Sequence, residues 1–295
     1  MSAPTSTLLP WGEVTGNAAR HTHNGLGAAL SFLITAIFLA SIWGTTINHD
    51  TAWYLVATRE WLAGARLYVD IYEVNPPLNF YFTVPPVLLA DLTGISDANA
   101  QFTVLGVAIF TSLFWCWTIL EDHTLLPLPR RALFHAGVGM AMILPALNDI
   151  GQREQVMVIL TTPWLLTQLP MLTPPPLRRA IPVAALAGLG VCLKPFFILF
   201  PVFVTVWQML RARSVRPLIG AGNIAMGGVG LIYVATAWVL HPQYFTDVIP
   251  AARDAYGSIA LPPEKVLFTL AFVLAPFLVF GVRLPTFRIR PAGTG

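Results

Sequence analysis

LGAALSFLITAIFLASIWGTTI, residues 26–47, is an unbroken apolar run with no charged side chain in 22 residues. At about 1.5 Å per residue such a run reaches across the roughly 30 Å hydrocarbon core of a bilayer. It is longer than a signal-peptide core and has no clear small-x-small cleavage site, so it reads as a retained span. Similar runs recur at about 99–120, 132–147, 155–170, 180–193, 196–210, 218–240 and 265–282. The whole chain is 56% hydrophobic and 11% charged with mean hydropathy +0.68, against about 25% charged in an average soluble domain. The expected fold is therefore all-α: a polytopic transmembrane helix bundle of about eight spans occupying 26–282.

Charge sets the expected orientation. The pairs Arg130-Arg131 and Arg178-Arg179, the group Arg211, Arg213 and Arg216, and the group Arg283, Arg288 and Arg290 fall on one side if both termini are cytoplasmic, as the positive-inside bias requires. That assignment holds only if residues 77–92, which carry Pro76, Pro77, Pro85 and Pro86 around their start and middle, lie at the interface and do not cross. Residues 1–25 and 283–295 then form cytoplasmic tails, the first of a composition that suits a flexible segment. The net charge of +3 and pI near 9.1 come from these flanks and not from one basic patch, so no nucleic-acid partner is expected. Cys116 and Cys192 each lie inside an apolar run, which leaves neither a disulfide framework nor a zinc site. Walker, GxGxxG, HExxH and GxSxG patterns are absent, and with them support for nucleotide hydrolysis, dinucleotide redox chemistry and the common hydrolase layouts.

The acidic residues gather in the segments assigned to the outer side. In the loop 48–98, Asp50 can cap a helix running to Ala63 with Gly64 as terminator. Trp53, Ala57 and Trp61 on one side, against Tyr54, Thr58 and Arg59 nearer the other, make that helix amphipathic, as expected of a juxtamembrane helix in the headgroup layer. The stretch NDIGQREQ, 148–155, puts Asp149, Arg153 and Glu154 at the outer end of the third span. Ionisable groups so close to hydrocarbon are costly unless paired or facing a wet cavity, although Arg153 and Glu154 can also simply mark the lipid boundary. Between 180 and 210 two short spans need a break near Lys194-Pro195, because the residue before proline avoids the helical region. That places a lysine at the outer surface, where snorkelling is its plainest role. Gly188 and Gly190 before it allow close helix approach.

The segment NHDTAWYLVATREWLAGARLYVDIYEVNPPLNFY, 48–81, resembles the first outer loop of GT-C class glycosyltransferases, the superfamily of protein O-mannosyltransferases and lipid A aminoarabinose transferases. Asp50, Tyr54, Gly64, Leu67, Tyr68, Asp70, Pro76, Pro77 and Leu78 carry the match. NDIGQREQ and GLGVCLKPFF, 188–197, resemble the second acidic motif and the small-residue helix ending in Lys-Pro of the same family, so the likeness spans roughly 26–215. Family members often have Asp-Glu where this chain has Asp50-Thr51.

The resemblance implies an inverting transferase of the cell (inner) membrane. It would move a sugar from a polyprenyl-phosphate donor to a glycan, lipid or protein acceptor on the extracytoplasmic face. Asp50 would be the catalytic carboxylate, with Asp149 or Glu154 as the second acid. Lys194 and Arg153 would meet the donor phosphate, and Tyr54, Tyr68, Asp70, Pro76 and Pro77 would shape the substrate loop. A divalent metal bridging carboxylates and phosphate suits this layout, but Thr51 in place of a second acid argues against it, and no metal or other cofactor is assigned. The competing expectations are a transporter or flippase of lipid-linked sugar, and an inactive, truncated relative, since the chain stops at RIRPAGTG.

Overall fold

The computed structural model describes residues 11–121, 127–147, 149–169 and 175–258. Two compact units divide the chain, Met1–Val248 and Ile249–Gly295; the described part of the second is a single helix, Ile249–Ser258. No strand forms among the described residues, where the sole bridge joins Leu67 to Ile71. The first unit runs α1 (Trp11–Ile42), α2 (His49–Leu62), α3 (Leu78–Thr93), α4 (Asp97–Glu121), α5 (Leu128–Ile143), α6 (Arg153–Thr167), α7 (Leu177–Val191), α8 (Leu199–Ala212) and α9 (Ala221–Leu240). The helix of the second unit is α10.

Among the described residues, four helical stretches are long and apolar enough to cross a membrane: Asn24–Ile42, Asp97–Glu121, Pro195–Ala212 and Ala221–Leu240. The expected runs at 132–147, 155–170 and 180–193 are helices too, but of 16, 15 and 15 residues. At about 1.5 Å per residue these reach roughly 24 Å, short of a 30 Å core. The run at 265–282 lies outside the described residues. Helix α1 also begins earlier than expected: residues 11–25 extend the helix backbone and do not form a loose tail, because lengthening an existing helix needs no new nucleus.

Packing follows the small residues. Helix α1 lies on α4 and α5, α4 on α3 and α6, α6 on α7, and α7 on α9. One apolar cluster joins Phe38, Ile109, Leu113, Met142 and Ile159; a second joins Trp164, Ala184, Leu193 and Met226. Within lipid, hydrophobicity does not favour helix contact, so close van der Waals approach has to supply it. The glycines on α7 allow that approach on two sides. A Cβ on Gly188 would stand 3.1 Å from the Met226 carbonyl of α9, and one on Gly190 would stand 3.1 Å from Leu160 Cβ of α6.

The loop after α1 is held down by charge and by aromatic packing. Arg59 of α2 donates to Asp97 at 2.8 and 2.5 Å and to Asp91 at 2.8 Å, which fastens α2 to the end of α3 and the start of α4. Tyr54, Tyr68, Phe80 and Tyr244 form a third cluster. The buried residues of α2 are Thr51, Tyr54, Leu55, Ala57 and Thr58, whereas Trp53 is exposed. The expected split with Trp53 and Ala57 on one face and Tyr54 and Thr58 on the other is therefore replaced by a face centred on Tyr54 and Thr58.

Candidate functional site

The start of α2 is capped by Asn48, whose side chain accepts from the Asp50 amide at 2.9 Å. This corrects the expectation that Asp50 is the cap. Asn48 has the extended backbone a cap requires, at φ −56° and ψ 144°, and Asp50 sits one turn position inside the helix. Its carboxylate is favoured there by the helix dipole and is free to face other partners.

The main partner comes from the start of α6, far along the chain. Arg153, the first residue of α6, is 7% exposed. Its Nη1 donates to the Tyr54 hydroxyl at 2.6 Å, its guanidinium lies 5.3 Å from the Tyr54 ring centre, and its Nη2 stands 4.0 Å from Asp50 Oδ2. A buried guanidinium is tolerated only with such compensation. Asp50 itself is partly open to solvent and also meets the exposed His49 at 3.0 Å.

Behind Tyr54 stands Glu73, buried and accepting from Trp53 Nε1 at 2.9 Å, from the Asn75 amide at 2.9 Å and from Asn75 Nδ2 at 2.6 Å. Burial and then Glu73 push the Tyr54 phenol well above its ordinary range, against the opposing pull of Arg153 and Asn79. Tyr54 is therefore neutral at any physiological pH. Its hydroxyl oxygen accepts from Arg153, so a neutral phenol lies against a cation that also faces the Asp50 carboxylate.

Around this line lies a narrow cleft with about 20 Å³ of room, lined among others by Asp50, Tyr54, Asn79, Gln101, Gln152 and Arg153. Gly151 shapes its wall: φ is +85°, and a Cβ there would meet Thr51 at 3.1 Å and Gln101 at 3.3 Å. The Gly151 amide donates to Gln155 Oε1 at 2.8 Å, and Thr51 Oγ1 donates to the Ile150 carbonyl at 3.3 Å. Thr51 thus docks the loop before α6 onto α2.

The remaining residues expected at the site fall into two groups. Glu154 pairs with Lys194, whose Nζ also lies 5.5 and 5.9 Å from the Phe196 and Phe197 ring centres. Lys194 adopts extended backbone between the end of α7 and the 3-10 turn Pro195–Ile198, so the helix break falls at the expected dipeptide. Asp149 is exposed, accepts from Asn48 Nδ2 and Gln152 Nε2 at 3.0 Å each, and lines a neighbouring cleft with Gln152 and Glu154. Asp50 and the pair Glu154–Lys194 are thus linked through consecutive residues, Arg153 and Glu154, at the first turn of α6.

The other group lies outside the cleft around Asp50. Pro76 and Pro77 are buried and lead into α3, with Pro77 as its cap. Asp70 pairs with Arg66 at the surface, which holds its carboxyl below the usual range. Tyr68 has left-handed backbone, φ +68°, and donates its hydroxyl to the Asn75 carbonyl at 2.8 Å. Its ring packs on Tyr244 at 5.1 Å; burial and nearby tyrosines raise its phenol. None of these four lines the cleft. The reading of residue patterns missed Glu73, Asn79 and Gln101. Gln101 had a usable signal, a carboxamide within the first turns of an apolar helix, and its buried Oε1 has no hydrogen-bond partner.

Among the described residues no group of three or more His, Cys, Asp or Glu side chains is placed to hold a metal. Comparison with family models, with curated proteins and with solved structures finds no match. The chemistry of the site therefore rests on its geometry: one buried cation between a phenol and a carboxylate, carboxamides facing the same space, and a lysine–carboxylate pair one residue along.

Proposed function

We propose that this chain is a membrane glycosyltransferase that takes a sugar from a polyprenyl-phosphate donor and gives it to a hydroxyl acceptor on the extracytoplasmic face. The bundle then crosses the inner membrane about eight times, the short helices α5, α6 and α7 and residues 265–282 included, with α2 and α3 lying along its outer surface. Asp50 takes the acceptor proton as the acceptor oxygen bonds to the anomeric carbon. The bond from that carbon to the phosphate oxygen breaks, its electron pair goes to the phosphate, and a single displacement inverts the anomeric centre. Arg153 and Lys194 offset the negative charge that grows on the leaving phosphate. Asn79, Gln101 and Gln152 suit the hydroxyls of a sugar ring.

The observation that carries this reading is the meeting of three distant segments at the first turn of α6: Arg153 within 4.0 Å of Asp50, and Glu154, the next residue, on Lys194. An apolar groove of about 370 Å³ between α7, α8 and α9 includes Cys192 and Ile198, which flank Lys194 in the chain, and suits a donor with a hydrocarbon tail. The test is transfer of labelled sugar from polyprenyl-phosphate donors by protein in nanodiscs, comparing the parent with Asp50→Asn and Lys194→Ala. Both variants are expected to lose transfer; full transfer in both removes the site assignment. Donor movement across sealed vesicles without transfer would replace the enzyme by a flippase.

A further inference from the structure

The Lys194 ammonium already holds an anion, the carboxylate of Glu154. The two partners are unequally fixed: 15% of the Lys194 side chain is exposed against 49% for Glu154, and the lysine also lies against Phe196 and Phe197. The carboxylate is the partner with somewhere to go, since Glu154 lines the cleft it shares with Asp149 and Gln152. The groove that includes Cys192 and Ile198, neighbours of Lys194 in the chain, presents almost only hydrocarbon. Its polar members Thr205 and Asn223 bond to each other at 3.1 Å, and Met209, Leu218 and Met226 are among its apolar members. A ligand with one long apolar chain and one anionic head fits both features at once.

We infer that Glu154 is a built-in stand-in for the donor's phosphate: its carboxylate occupies Lys194 while the groove is empty, and yields when the phosphate of a polyprenyl chain lying in that groove takes its place. The inference rests on the polyprenyl-phosphate donor proposed above and adds how its site is kept. Exchange of one anion for another leaves the half-buried ammonium compensated throughout, which avoids the penalty of an unpaired charge. It also filters ligands. A neutral polyprenol cannot displace a carboxylate, inorganic phosphate gains nothing from the groove, and a two-chain phospholipid does not fit a single apolar channel. The same competition helps to expel the spent carrier, whose phosphomonoester carries more negative charge than the phosphodiester donor and would otherwise be held more tightly.

Four proteins in nanodiscs test this: the parent, Glu154→Gln, Lys194→Gln and the double variant, each titrated with polyprenyl monophosphate, polyprenol, inorganic phosphate and phosphatidylglycerol. Glu154→Gln is expected to bind polyprenyl monophosphate about fivefold more tightly, equivalent to about 1 kcal/mol. Lys194→Gln weakens binding, and Glu154→Gln adds nothing in the Lys194→Gln background. Unchanged or weaker binding by Glu154→Gln overturns the inference, as does an equal gain in the double variant. Equally tight binding of inorganic phosphate or phosphatidylglycerol overturns the choice of ligand. Should Glu154→Gln fail to fold, Glu154→Asp, one methylene shorter, is expected to show a smaller gain of the same sign. Transfer is assayed separately, so that exchange without transfer removes the proposed activity alone, and transfer without exchange removes this inference alone.

Discussion

The start of α6 and the α7–α8–α9 groove differ in what holds them together. At α6 the contacts are directional: Arg153 on Tyr54, Glu73 behind it, Asp50 in front, Glu154 on Lys194. Along α7 the contacts are steric, with glycines that admit α6 and α9 to within a few ångströms. A hydrogen bond to a charged group contributes about 1.5–3 kcal/mol when both partners are in place and costs more when one is stranded. A tight helix crossing is indifferent to charge but fails with one extra methyl group. Chemistry is therefore expected where contacts are directional, and capacity for a long tail where they are steric.

Replacing Arg153 by Gln should break the directional region most severely. Tyr54 and Asp50 lose their shared cation, with a transfer rate lower by roughly a hundredfold and a stability loss of about 2 kcal/mol in detergent unfolding. An Arg153→Gln protein that melts and transfers like the parent would show the line from Glu73 to Asp50 to be incidental. In the steric region, Gly190→Val drives a side chain into Leu160 and Met157 and should lower stability by about 1–3 kcal/mol, read as a lower melting temperature without ligand.

A sharper separation of the two regions comes from Gly227→Leu. No atom lies within 4 Å of where its Cβ would stand, and the residue lines the groove. Folding should be unimpaired, because leucine is the better helix former, while transfer from long-chain donors falls roughly tenfold, about 1.4 kcal/mol. Short-chain, water-soluble donors should be spared; equal loss for both would mean that the groove does not hold the tail.

The smallest effect belongs to Asp70→Asn. Its carboxyl is held below the ordinary value by Arg66, so the pair contributes stability that is present above about pH 4 and is lost as pH falls through the lowered value. The pair is at the surface, and the parent and variant melting curves should differ barely at neutral pH and coincide in acid. A large difference at neutral pH would give Asp70 a place in the site that its position does not suggest.

Much of the helical frame could be read before any coordinates. Apolar runs longer than a soluble helix needs point to membrane helices, and the break before Pro195 follows from a steric rule acting on adjacent residues. The misreadings are instructive for the same reason. Asp50 and Asn48 are both good caps by type, and only backbone geometry, extended at Asn48, decides between them. Runs at 132–147, 155–170 and 180–193 gave helices that begin a few residues before each run and stop short of its end, at the turn Leu144–Ala146, the Gln168 cap and the Cys192 cap.

What the order of residues determined is what adjacent residues can enforce: helix or turn, apolar or polar, and where a helix must stop. Tertiary structure decided the partners. Arg153 finds Tyr54 across 99 positions and Lys194 finds Glu154 across 40, and burial of Glu73, Asn79 and Gln101 depends on which helices close over them. Local sterics act over a few residues and leave a periodic trace. An electrostatic pairing depends only on distance in space, and leaves no trace in spacing along the chain.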